Sequence, residues 1–275
     1  GVVLWLPALL HQPERPEPGG YRLTLLDVGQ GLSAVIETRH RTLVFDTGAK
    51  LSDSFDMGSA VIEPYLRHRG LARIDALVVS HGDDDHIGGA RSLLEAFPVG
   101  QVVTSVPQRL AGAVTPTACR VGQSWQWDGV RFDLLGPITP SEKDNDNSCV
   151  LRVSGAGGSV LLTGDIEAGA EHELVTMHGE DLKSDVLIVP HHGSRTSSTS
   201  GFLDWVQPRL ALIPAGHLNR FGFPHPDVVR RYRERGITVM TAGETGAITL
   251  DADPKTGLMD PVAYREVYRR YWSVP

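Results

Sequence analysis

Runs of apolar residues, separated by polar and glycine-rich stretches, predict a chain in which strands and helices alternate. Three closely spaced runs, residues 21–29, 32–38 and 41–48, have the length and the β-branched content of strands. Apolar residues spaced three and four apart predict helices over 57–70 and 86–97. Further buried strands are predicted at residues 75–81, 102–105, 125–137, 149–165, 184–193 and 209–216.

Two of the later segments predict β-hairpins. The first hairpin spans residues 149–165, with its turn at Gly155 to Gly158. The second spans residues 238–253. Hairpins require antiparallel neighbours, whereas the continuous apolar runs of most strands indicate burial on both faces. We therefore expect an α/β fold in which two mixed sheets pack face to face and helices flank them on both sides.

The pattern also predicts three regions along the chain. Residues 1–10 are almost wholly apolar, but at about 15 Å of helix they are too short to cross a bilayer alone. We expect residues 1–20 to be the end of a truncated membrane helix followed by a Pro-rich linker, the alternative being a core strand or a docking segment. Residues 21–253 would form the folded domain, and 254–275 an extension rich in arginine and aromatic residues.

Composition narrows the class of protein. The 275 residues carry a net charge of -7, with 41% hydrophobic and 21% charged residues, as in ordinary globular proteins. The negative charge excludes a protein that coats nucleic acid by bulk charge alone. Cys119 and Cys149 are too few for a disulfide scaffold, and neither has a histidine beside it. They are either core cysteines or one disulfide.

Acidic residues and histidines gather where predicted strands end. The strand at 75–81 runs into His-Gly-Asp-Asp-Asp-His, an Asp ends another apolar run, and a His pair ends a third. A dense carboxylate cluster repels itself unless a cation neutralises it. The alternative is an Asp-rich loop that caps a helix beside surface histidines. The predicted metal ligands are His81, Asp83, Asp85, His86, Asp165 and one of His191 and His192.

The types of residue in this set indicate the metal. Three Asp with three His are richer in oxygen than a typical zinc site, which favours Mn²⁺, with Zn²⁺ or Mg²⁺ as alternatives. Two divalent ions bridged by one carboxylate would hold a hydroxide and stabilise an in-line phosphoryl displacement. Asp85 is then both a metal ligand and a catalytic residue.

The same residues carry a resemblance to a known family. HGDDDH resembles the HxHxDH signature of the metallo-β-lactamase superfamily, with Asp83 where most members have His. LVFDTG, LLTGD and VPHHGS are similar to further motifs of that superfamily. LDVGQG, the HxDxDH variant, NDNSCVL, LLTGDIE and VPHHGS, in this order, resemble the C-terminal domain of the ComEC family of DNA-uptake channel proteins. The resemblance covers roughly Tyr21 to Asp251.

The resemblance implies a fold, an activity and a location. The fold would be the metallo-β-lactamase-like αββα sandwich, and the activity hydrolysis of the DNA strand that is not imported, by a metal-bound hydroxide. The partners would be single-stranded DNA and the membrane channel domain of the same full-length chain, with no nucleotide cofactor. The domain would be tethered to the inner membrane, on its periplasmic or outer face.

The resemblance also assigns the ligands. His81 and Asp83 would bind one metal, Asp85 and His86 the other, and Asp165 would bridge them. Many members have another His before the bridging Asp, where this chain has residues 145–148, Asn-Asp-Asn-Ser. The first site is therefore expected to bind its metal weakly or exchangeably.

A second group of residues is predicted to support the site. Asp46 would orient a metal-binding histidine, the alternative being an Asx turn. Gln30 and Ser148 would line the pocket or support ligands, although a tight turn explains Gln30 as well. Catalytic roles are predicted for Asn219 and His225, in which His225 would contact a phosphate or protonate the leaving oxygen, the alternative being a surface loop. Two further residues are candidates for phosphate binding on position alone, Arg195 and Arg220.

Two other functions remain open. One is hydrolysis of a different phosphoester by the same fold. The other is a non-catalytic module that guides DNA and keeps a vestigial metal site. The Arg- and Tyr-rich segment 263–272 suits single-stranded DNA or a membrane interface, but the pattern favours a packed amphipathic end helix over both.

Overall fold

A computed structural model describes residues 14–112 and 114–268. The apolar run at residues 1–10 and the last seven residues of the predicted Arg/aromatic extension lie outside the described residues. Within the described part, no helix has both the length and the apolar character needed to cross a membrane.

The strands follow one another in short segments. In chain order they are β1 Tyr21–Leu25, β2 Ala34–Glu37, β3 Thr42–Phe45, β4 Lys50–Ser52, β5 Phe55–Asp56, β6 Ile74–Val79, β7 Val99–Thr104, β8 Thr117–Ala118, β9 Ser124–Trp127, β10 Val130–Gly136, β11 Val150–Gly155, β12 Gly158–Leu162, β13 Val186–Ile188, β14 Leu210–Ile213, β15 Thr238–Thr241, β16 Ile248–Asp253, β17 Gly257–Leu258 and β18 Val262–Ala263.

The helices lie between these strands. They are α1 Glu63–His68, α2 Asp84–Ile87, α3 Ala90–Ala96, α4 Pro107–Leu110, α5 Ala168–His178, α6 Ser200–Val206, α7 Pro226–Glu234, α8 Ala242–Thr245 and α9 Tyr264–Val267. A π-helical turn, Gly58–Ile62, precedes α1, and 3-10 turns occur at Asn145–Asn147, Gly179–Leu182 and Pro190–Gly193.

Two mixed sheets form the centre of the molecule. The first has the order β17-β16-β1-β2-β3-β6-β7-β8, with β18 also paired to β16, and the second has the order β15-β14-β13-β12-β11-β10-β9. A separate two-stranded ribbon is formed by β4 and β5. In each sheet one half is antiparallel and the other half parallel, for example β1 with β2 and β3 with β6. The predicted mixed sheets are confirmed.

Three apolar layers show how the sheets and helices pack. The central layer joins residues from both sheets, such as Leu43 and Val78 with Leu151 and Leu212. A second layer lies between the second sheet and helices α5, α6 and α7. A third lies between the first sheet and helices α1 and α3. The order helix, sheet, sheet, helix confirms the αββα sandwich.

Strand β6 shows why the buried strands have continuous apolar sequences. Ala76 and Val78 face the central layer, whereas Leu77 and Val79 face the helices outside. Since successive side chains of a strand point to opposite faces, a strand covered on both sides needs apolar residues at every position. The polar residues of this segment lie at its two ends: Asp75 pairs with Arg41 and Arg73 at the start, and Ser80 and His81 follow Val79.

The predicted hairpin over residues 238–253 is wrong. Strand β15 lies at the edge of the second sheet, parallel to β14, whereas β16 pairs with β1 in the first sheet. The short helix α8 carries the chain from one sheet to the other, and Gly246 follows it at φ 76°. Alternating apolar residues are the same in a hairpin and in a crossover, so the pattern did not distinguish them. The hairpin predicted at Gly155 to Gly158 is confirmed by the pairing of β11 with β12.

The predicted helix over 86–97 is two helices in the structure, α2 and α3. Gly88 and Gly89 separate them because other backbone lies too close for a side chain. A Cβ on Gly88 would stand 2.1 Å from the Lys50 amide nitrogen, and one on Gly89 would stand 2.4 Å from the Gly58 nitrogen. The two glycines thus let α2, which carries candidate ligands, pack directly on the β4–β5 ribbon and the π-helical turn.

A disulfide and the polar contacts of one arginine join distant parts of the chain. Cys119, which follows β8 in the first sheet, is joined by a disulfide to Cys149, which precedes β11 in the second sheet. Of the two alternatives left open for the cysteines, the structure has the disulfide. In the extension, Arg265 forms an ion pair with Asp27 at 2.7 Å and donates to the Gly243 carbonyl, so the described part of the extension packs against the domain.

Candidate metal centre

Three strands bring polar side chains to one end of the sandwich. Strand β6 of the first sheet ends before His81, and the chain turns there into α2. In the second sheet, β12 ends three residues before Asp165, and the parallel strand β13 ends just before the His pair, His191 and His192. The carboxyl ends of parallel strands share one edge, so these loops converge.

The side chains at this edge form a compact cluster. Asp165 Oδ1 lies 3.1 Å from His86 Nε2, and Asp165 Oδ2 lies 3.2 Å from His192 Nε2. Asp85 Oδ2 is also 3.2 Å from His192 Nε2. Two sets of donor atoms each lie within 4.8 Å of one another, namely His81, His86 and Asp165, and Asp85, His86 and His192. Of the residues predicted as ligands, these are the ones that the structure gathers.

Within the cluster, His81 has a buried ring nitrogen without a hydrogen-bond partner among the described residues. This nitrogen is Nε2, and the ring itself is buried. The carboxylate of Asp83 approaches that nitrogen to 3.5 Å but is 52% exposed. A buried polar atom without a partner costs about 1–3 kcal/mol, so it is rare in folded proteins. A cation between His81, His86 and Asp165 would satisfy this nitrogen.

Asp46 contacts the cluster from behind. Its Oδ2 lies 2.8 Å from His86 Nδ1, and the carboxylate also accepts hydrogen bonds from the backbone and hydroxyl of Ser80 at 2.6 and 2.7 Å. All three groups are buried. A carboxylate on Nδ1 keeps the proton there and leaves Nε2 free to act as a ligand. The role predicted for Asp46 rests on this contact.

The two histidines of the His pair have different surroundings. Both have left-handed backbones, with φ 50° and 53°, so the chain is not extended here. His192 is buried in the cluster, and its Nδ1 lies 2.8 Å from the Pro214 carbonyl oxygen, which directs Nε2 at the carboxylates. His191 lies at the rim with a 20% exposed side chain, 3.9 Å from Asp165 and 3.5 Å from Glu167.

Burial and charge act in opposite directions in the cluster. Burial by itself would raise the pKa of Asp165, but His192 and His86 hold it well below its usual range. Burial would lower the pKa of His192, but Asp165 and Asp85 raise it to about 9. Burial likewise opposes Asp165 and Asp46 at His86, whose pKa they raise well above the ordinary value. The buried carboxylates are therefore stabilised by positive charge beside them, which either protons on the histidines or bound cations can supply.

This donor set fits divalent ions. The two groups together contain three imidazoles and two carboxylates, one of which, Asp165, contacts two of the imidazoles, and the exposed carboxylate of Asp83 lies 3.5 Å from His81. His81 Nε2 lacks a hydrogen-bond partner within the described part of the chain, and the rings of His86 and His192 are oriented by contacts at their Nδ1 atoms. Imidazole with carboxylate suits Mn²⁺ and Zn²⁺, and carboxylate oxygens also suit Mg²⁺.

Two more predicted residues line the walls. Ser148 is buried, and its hydroxyl accepts a hydrogen bond from the Asp165 amide at 3.2 Å, so it holds the backbone of that carboxylate in place. Gln30 is half-buried next to Gly216, with its Oε1 unpartnered among the described residues. The turn after Gln30 also touches the site, since Leu32 N–H donates to the Asp85 carbonyl at 3.1 Å.

The other predicted residues lie on or beside residues 217–225, which we call the aromatic loop. The amide of Asn219 donates to Gly216 and Phe223 carbonyls and accepts from Phe221 and Phe223 amides, which occupies both of its polar atoms inside the loop. His225 Nδ1 accepts from the Asp227 amide at 3.1 Å. The catalytic roles of Asn219 and His225 stay predictions.

The two arginines predicted to bind phosphate are both exposed. Arg195 Nη2 lies 2.7 Å from His225 Nε2 and 3.6 Å from Asp227, so a carboxylate already compensates part of its charge. The guanidinium of Arg220 lies over the Phe221 ring, 4.8 Å from its centre. Their role with phosphate stays a prediction.

Sequence reasoning did not single out several residues that touch the cluster. Ser80 bonds to Asp46 and lies 3.0 Å from His81 Nδ1. Phe223 stacks on His192 with ring centres 6.3 Å apart. Glu167 and Asn145 contact His191. Ser80 directly precedes the acidic motif, and Phe223 lies in a segment rich in aromatic and basic residues, but neither position reveals its contact without the fold.

The match to a known family accords with this geometry. Residues 26–217 match the sequence profile of the Metallo-beta-lactamase superfamily. The chain belongs to the metallo-β-lactamase superfamily. Membership of this superfamily implies divalent metal ions, and the cluster supplies candidate ligands for them.

Curated relatives match most of the chain. The chain is 37% identical over 277 residues to "Competence protein ComA" of Neisseria gonorrhoeae, which covers 99% of this chain and 38% of that protein. It is 34% identical over 252 residues to "Recombination protein 2" of Haemophilus influenzae, with 91% and 31% coverage. It is 32% identical over 249 residues to "ComE operon protein 3" of Bacillus subtilis, with 82% and 32% coverage. The chain thus spans about a third of the length of these relatives.

Solved structures agree on the superfamily fold. Igni18, a metallo hydrolase from Ignicoccus hospitalis, superposes with a TM-score of 0.57 at 16% identity, covering 83% of this chain and 98% of that one. The metallo-beta-lactamase fold protein YhfI from Bacillus subtilis superposes with a TM-score of 0.54 at 13% identity, with 84% and 99% coverage. At these identities the likeness shows the fold alone.

Proposed function

We propose that this chain is the metal-dependent nuclease domain of a ComEC-type DNA-uptake membrane protein, which hydrolyses the DNA strand that is not imported. The observation that carries the proposal is Asp165, whose two carboxylate oxygens contact two different imidazoles, His86 and His192, at 3.1 and 3.2 Å. A carboxylate placed between two sets of donors is the arrangement that holds two ions close together.

The residues divide into two ligand groups around Asp165. His81 and Asp83 would hold one divalent ion, and Asp85, His86 and His192 the other. Such ions supply Lewis-acid polarisation of a phosphodiester oxygen and lower the pKa of water. We propose Mn²⁺ as the native ion, since three carboxylates accompany the three imidazoles.

The chain's own residues orient this donor set. Asp46 keeps the proton of His86 on Nδ1, and the Pro214 carbonyl does the same for His192, so both Nε2 atoms face the carboxylates. Ser148 holds the Asp165 backbone. Side chains held in this way need little rearrangement when they bind an ion or a substrate.

Similarity to competence proteins supports DNA as the substrate and a membrane protein as the context. The three relatives above are each about three times as long as this chain, and we propose that a membrane channel belongs to the remainder of the corresponding protein. The disulfide between Cys119 and Cys149 supports a location on the periplasmic or outer face, because disulfides persist in oxidising compartments.

The test is degradation of end-labelled single-stranded DNA by the purified chain. The protein is stripped with a chelator and then supplied with Mn²⁺, Mg²⁺ or Zn²⁺ separately. We expect cleavage with Mn²⁺ and none without metal, and the ladder of products gives the direction of digestion. Absence of cleavage with every metal, in a protein that still binds them, would contradict the nuclease function.

Neighbouring residues in the acidic motif provide a matched control. Asp85 contacts His192, whereas Asp84 is exposed and faces Arg109 at 3.6 Å. Asp85→Asn is expected to abolish cleavage, and Asp84→Asn to leave it close to that of the unmodified protein. Circular dichroism of both variants checks that the fold is retained. Equal activities of the two variants would exclude Asp85 from the reaction.

A further inference from the structure

Aromatic rings form a row from the metal cluster to the surface. Phe223 stacks on His192 with ring centres 6.3 Å apart and planes inclined by 20°. Phe221 stacks in turn on Phe223, at 5.7 Å and 16°. His192 itself contacts Asp85 and Asp165. The row therefore begins at a candidate metal ligand and ends at Phe221.

The outer ring of this row is open to solvent. Phe221 is 52% exposed, and the guanidinium of Arg220 lies over its ring at 4.8 Å. A single exposed apolar residue is common on protein surfaces and by itself indicates nothing. Phe221 differs from such a residue in two ways. Its ring stacks on Phe223, which in turn stacks on His192 of the cluster, and the guanidinium of Arg220 lies over it.

The aromatic loop is held in shape by hydrogen bonds of its own residues. Asn219 makes four hydrogen bonds inside it, to Gly216 and Phe223 carbonyls and to Phe221 and Phe223 amides, at 2.6–3.2 Å. The loop is anchored to the His pair segment, since His225 N–H donates to the Gly193 carbonyl at 2.9 Å. A preformed loop binds a partner without the entropy loss of ordering itself.

The rim of the loop is locally basic although the whole chain is acidic. Arg195 and Arg230 both face Asp227, at 3.6 and 2.8 Å. Arg220 has no carboxylate partner within the part of the chain that the structure describes. Its positive charge is therefore available to an anionic partner close to the exposed ring.

We propose that Phe221 and Arg220 bind an unpaired nucleobase and an adjacent phosphate of single-stranded DNA whose scissile phosphodiester lies at the metal cluster. The inference rests on the proposed nuclease function and names its substrate as a single strand. Aromatic rings and arginine guanidinium planes stack on any base, so the contact is independent of sequence. Bases inside a duplex are already stacked and paired, which makes them unavailable to Phe221.

Binding of oligothymidylate tests the proposal directly. Affinity is measured by fluorescence anisotropy in an Asp85→Asn background, so that cleavage does not consume the strand. We expect Phe221→Ala to weaken binding roughly 5- to 150-fold, the range for loss of one stacked base. Leu218→Ala is the control, because Leu218 lies on the same loop and is 89% exposed without stacking on a ring.

Two further variants separate stacking from folding. Phe221→Leu keeps an apolar side chain and lacks the ring, so it should lose affinity as Phe221→Ala does while preserving the loop. Phe221→Trp should retain affinity, and its fluorescence should be quenched by the strand. Arg220→Gln should lower the slope of log affinity against log salt concentration by about 0.7, the value for one phosphate contact on a single strand.

An oligonucleotide with one abasic position identifies the stacked base. On a strand short enough to bind in a single register, moving the abasic position should reveal one place where it weakens binding by the unmodified protein but does not weaken binding by Phe221→Ala any further. The combination shows that the ring and the missing base make one shared contact.

The outcomes distinguish this inference from the proposed function. Undiminished binding by both Phe221→Ala and Phe221→Leu overturns the inference, while metal-dependent cleavage by the unmodified chain leaves the nuclease function standing. Loss of binding in these variants, with no cleavage by the unmodified chain under any metal, supports the base-binding ring and contradicts the nuclease. Preference for duplex over single-stranded DNA, or indifference to the abasic position, also overturns the inference.

Discussion

Asp46 Oδ2 and His86 Nδ1 lie 2.8 Å apart, with both side chains fully buried. This contact determines which ring nitrogen of His86 faces the metal cluster, because a proton shared with the carboxylate stays on Nδ1. The orientation of a residue in the acidic motif thus depends on an aspartate 40 positions earlier in the chain.

Asp46→Asn is expected to weaken metal binding about 10- to 100-fold, the usual effect of losing such a supporting contact. In the variant, the side-chain oxygen of the asparagine would accept the hydrogen bond that the Ser80 backbone N–H donates to Asp46. The NH₂ group of the asparagine would then face His86 Nδ1. The His86 proton then moves to Nε2, where it blocks ligation. Isothermal titration with Mn²⁺ measures the change, and Asp84→Asn serves as the control. Unchanged affinity would show that the contact does not orient His86.

His192→Ala and His191→Ala are expected to behave differently although the residues are adjacent. His192 contacts two carboxylates of the cluster, whereas His191 lies at the rim, 3.9 Å from Asp165. Loss of a ligand should reduce metal affinity by more than about 100-fold, and loss of a rim residue by less than about tenfold. Titration of both variants with Mn²⁺ tests this order, and a reversed order would identify His191 as the ligand.

Titration of the protein with Mn²⁺ is expected to show two sites of different affinity. Asp83 is half-exposed and is the least enclosed carboxylate around Asp165, and affinity for a hard cation rises with the number and rigidity of its ligands. Asp83→Ala should therefore remove the weaker class and leave the tighter one. Calorimetry with Mn²⁺ gives both stoichiometries. A variant that loses both ions at once would indicate that the two sites fill cooperatively.

Joint replacement of Cys119 and Cys149 by alanine should lower the free energy of unfolding by about 3–4 kcal/mol. The disulfide closes a segment of 30 residues, and in the chain-entropy account this is the stabilisation expected for a loop of that length. Urea denaturation of the variant measures it. A reducing agent should destabilise the unmodified protein by a similar amount and leave the variant unchanged, which separates the bond from the packing of the two side chains.

Glu171→Ala should destabilise the fold by about 2–4 kcal/mol, because one buried and one partly buried amide lose their acceptor. The carboxylate of Glu171 accepts hydrogen bonds from the Ser198 and Thr199 amides, which belong to the loop after the His pair. Urea denaturation measures the loss, and Glu180→Ala, at an exposed position, is the control. Equal stability of the two variants would mean that water replaces the lost acceptor.

Much of the fold follows from local pattern. Residues 76–79 are apolar at every position because helices and a second sheet cover both faces of the strand, and that requirement is visible in the sequence. The hairpin of β11 with β12 was predicted because its turn residues are adjacent in the chain. The pairing of β16 with β1 was not predicted. The two strands lie more than two hundred residues apart in the chain, and an alternating pattern of apolar residues does not identify the partner strand.

The sequence by itself determined which residue types stand at the ends of the strands, and therefore that a cluster of histidines and carboxylates would form at one edge of the sandwich. Only the tertiary structure decided which members meet. The left-handed backbone of residues 191 and 192 turns His192 inward and His191 to the rim. The row of rings from His192 to Phe221 likewise joins segments 29 residues apart, and such contacts arise from packing between loops, which no local pattern of residues specifies.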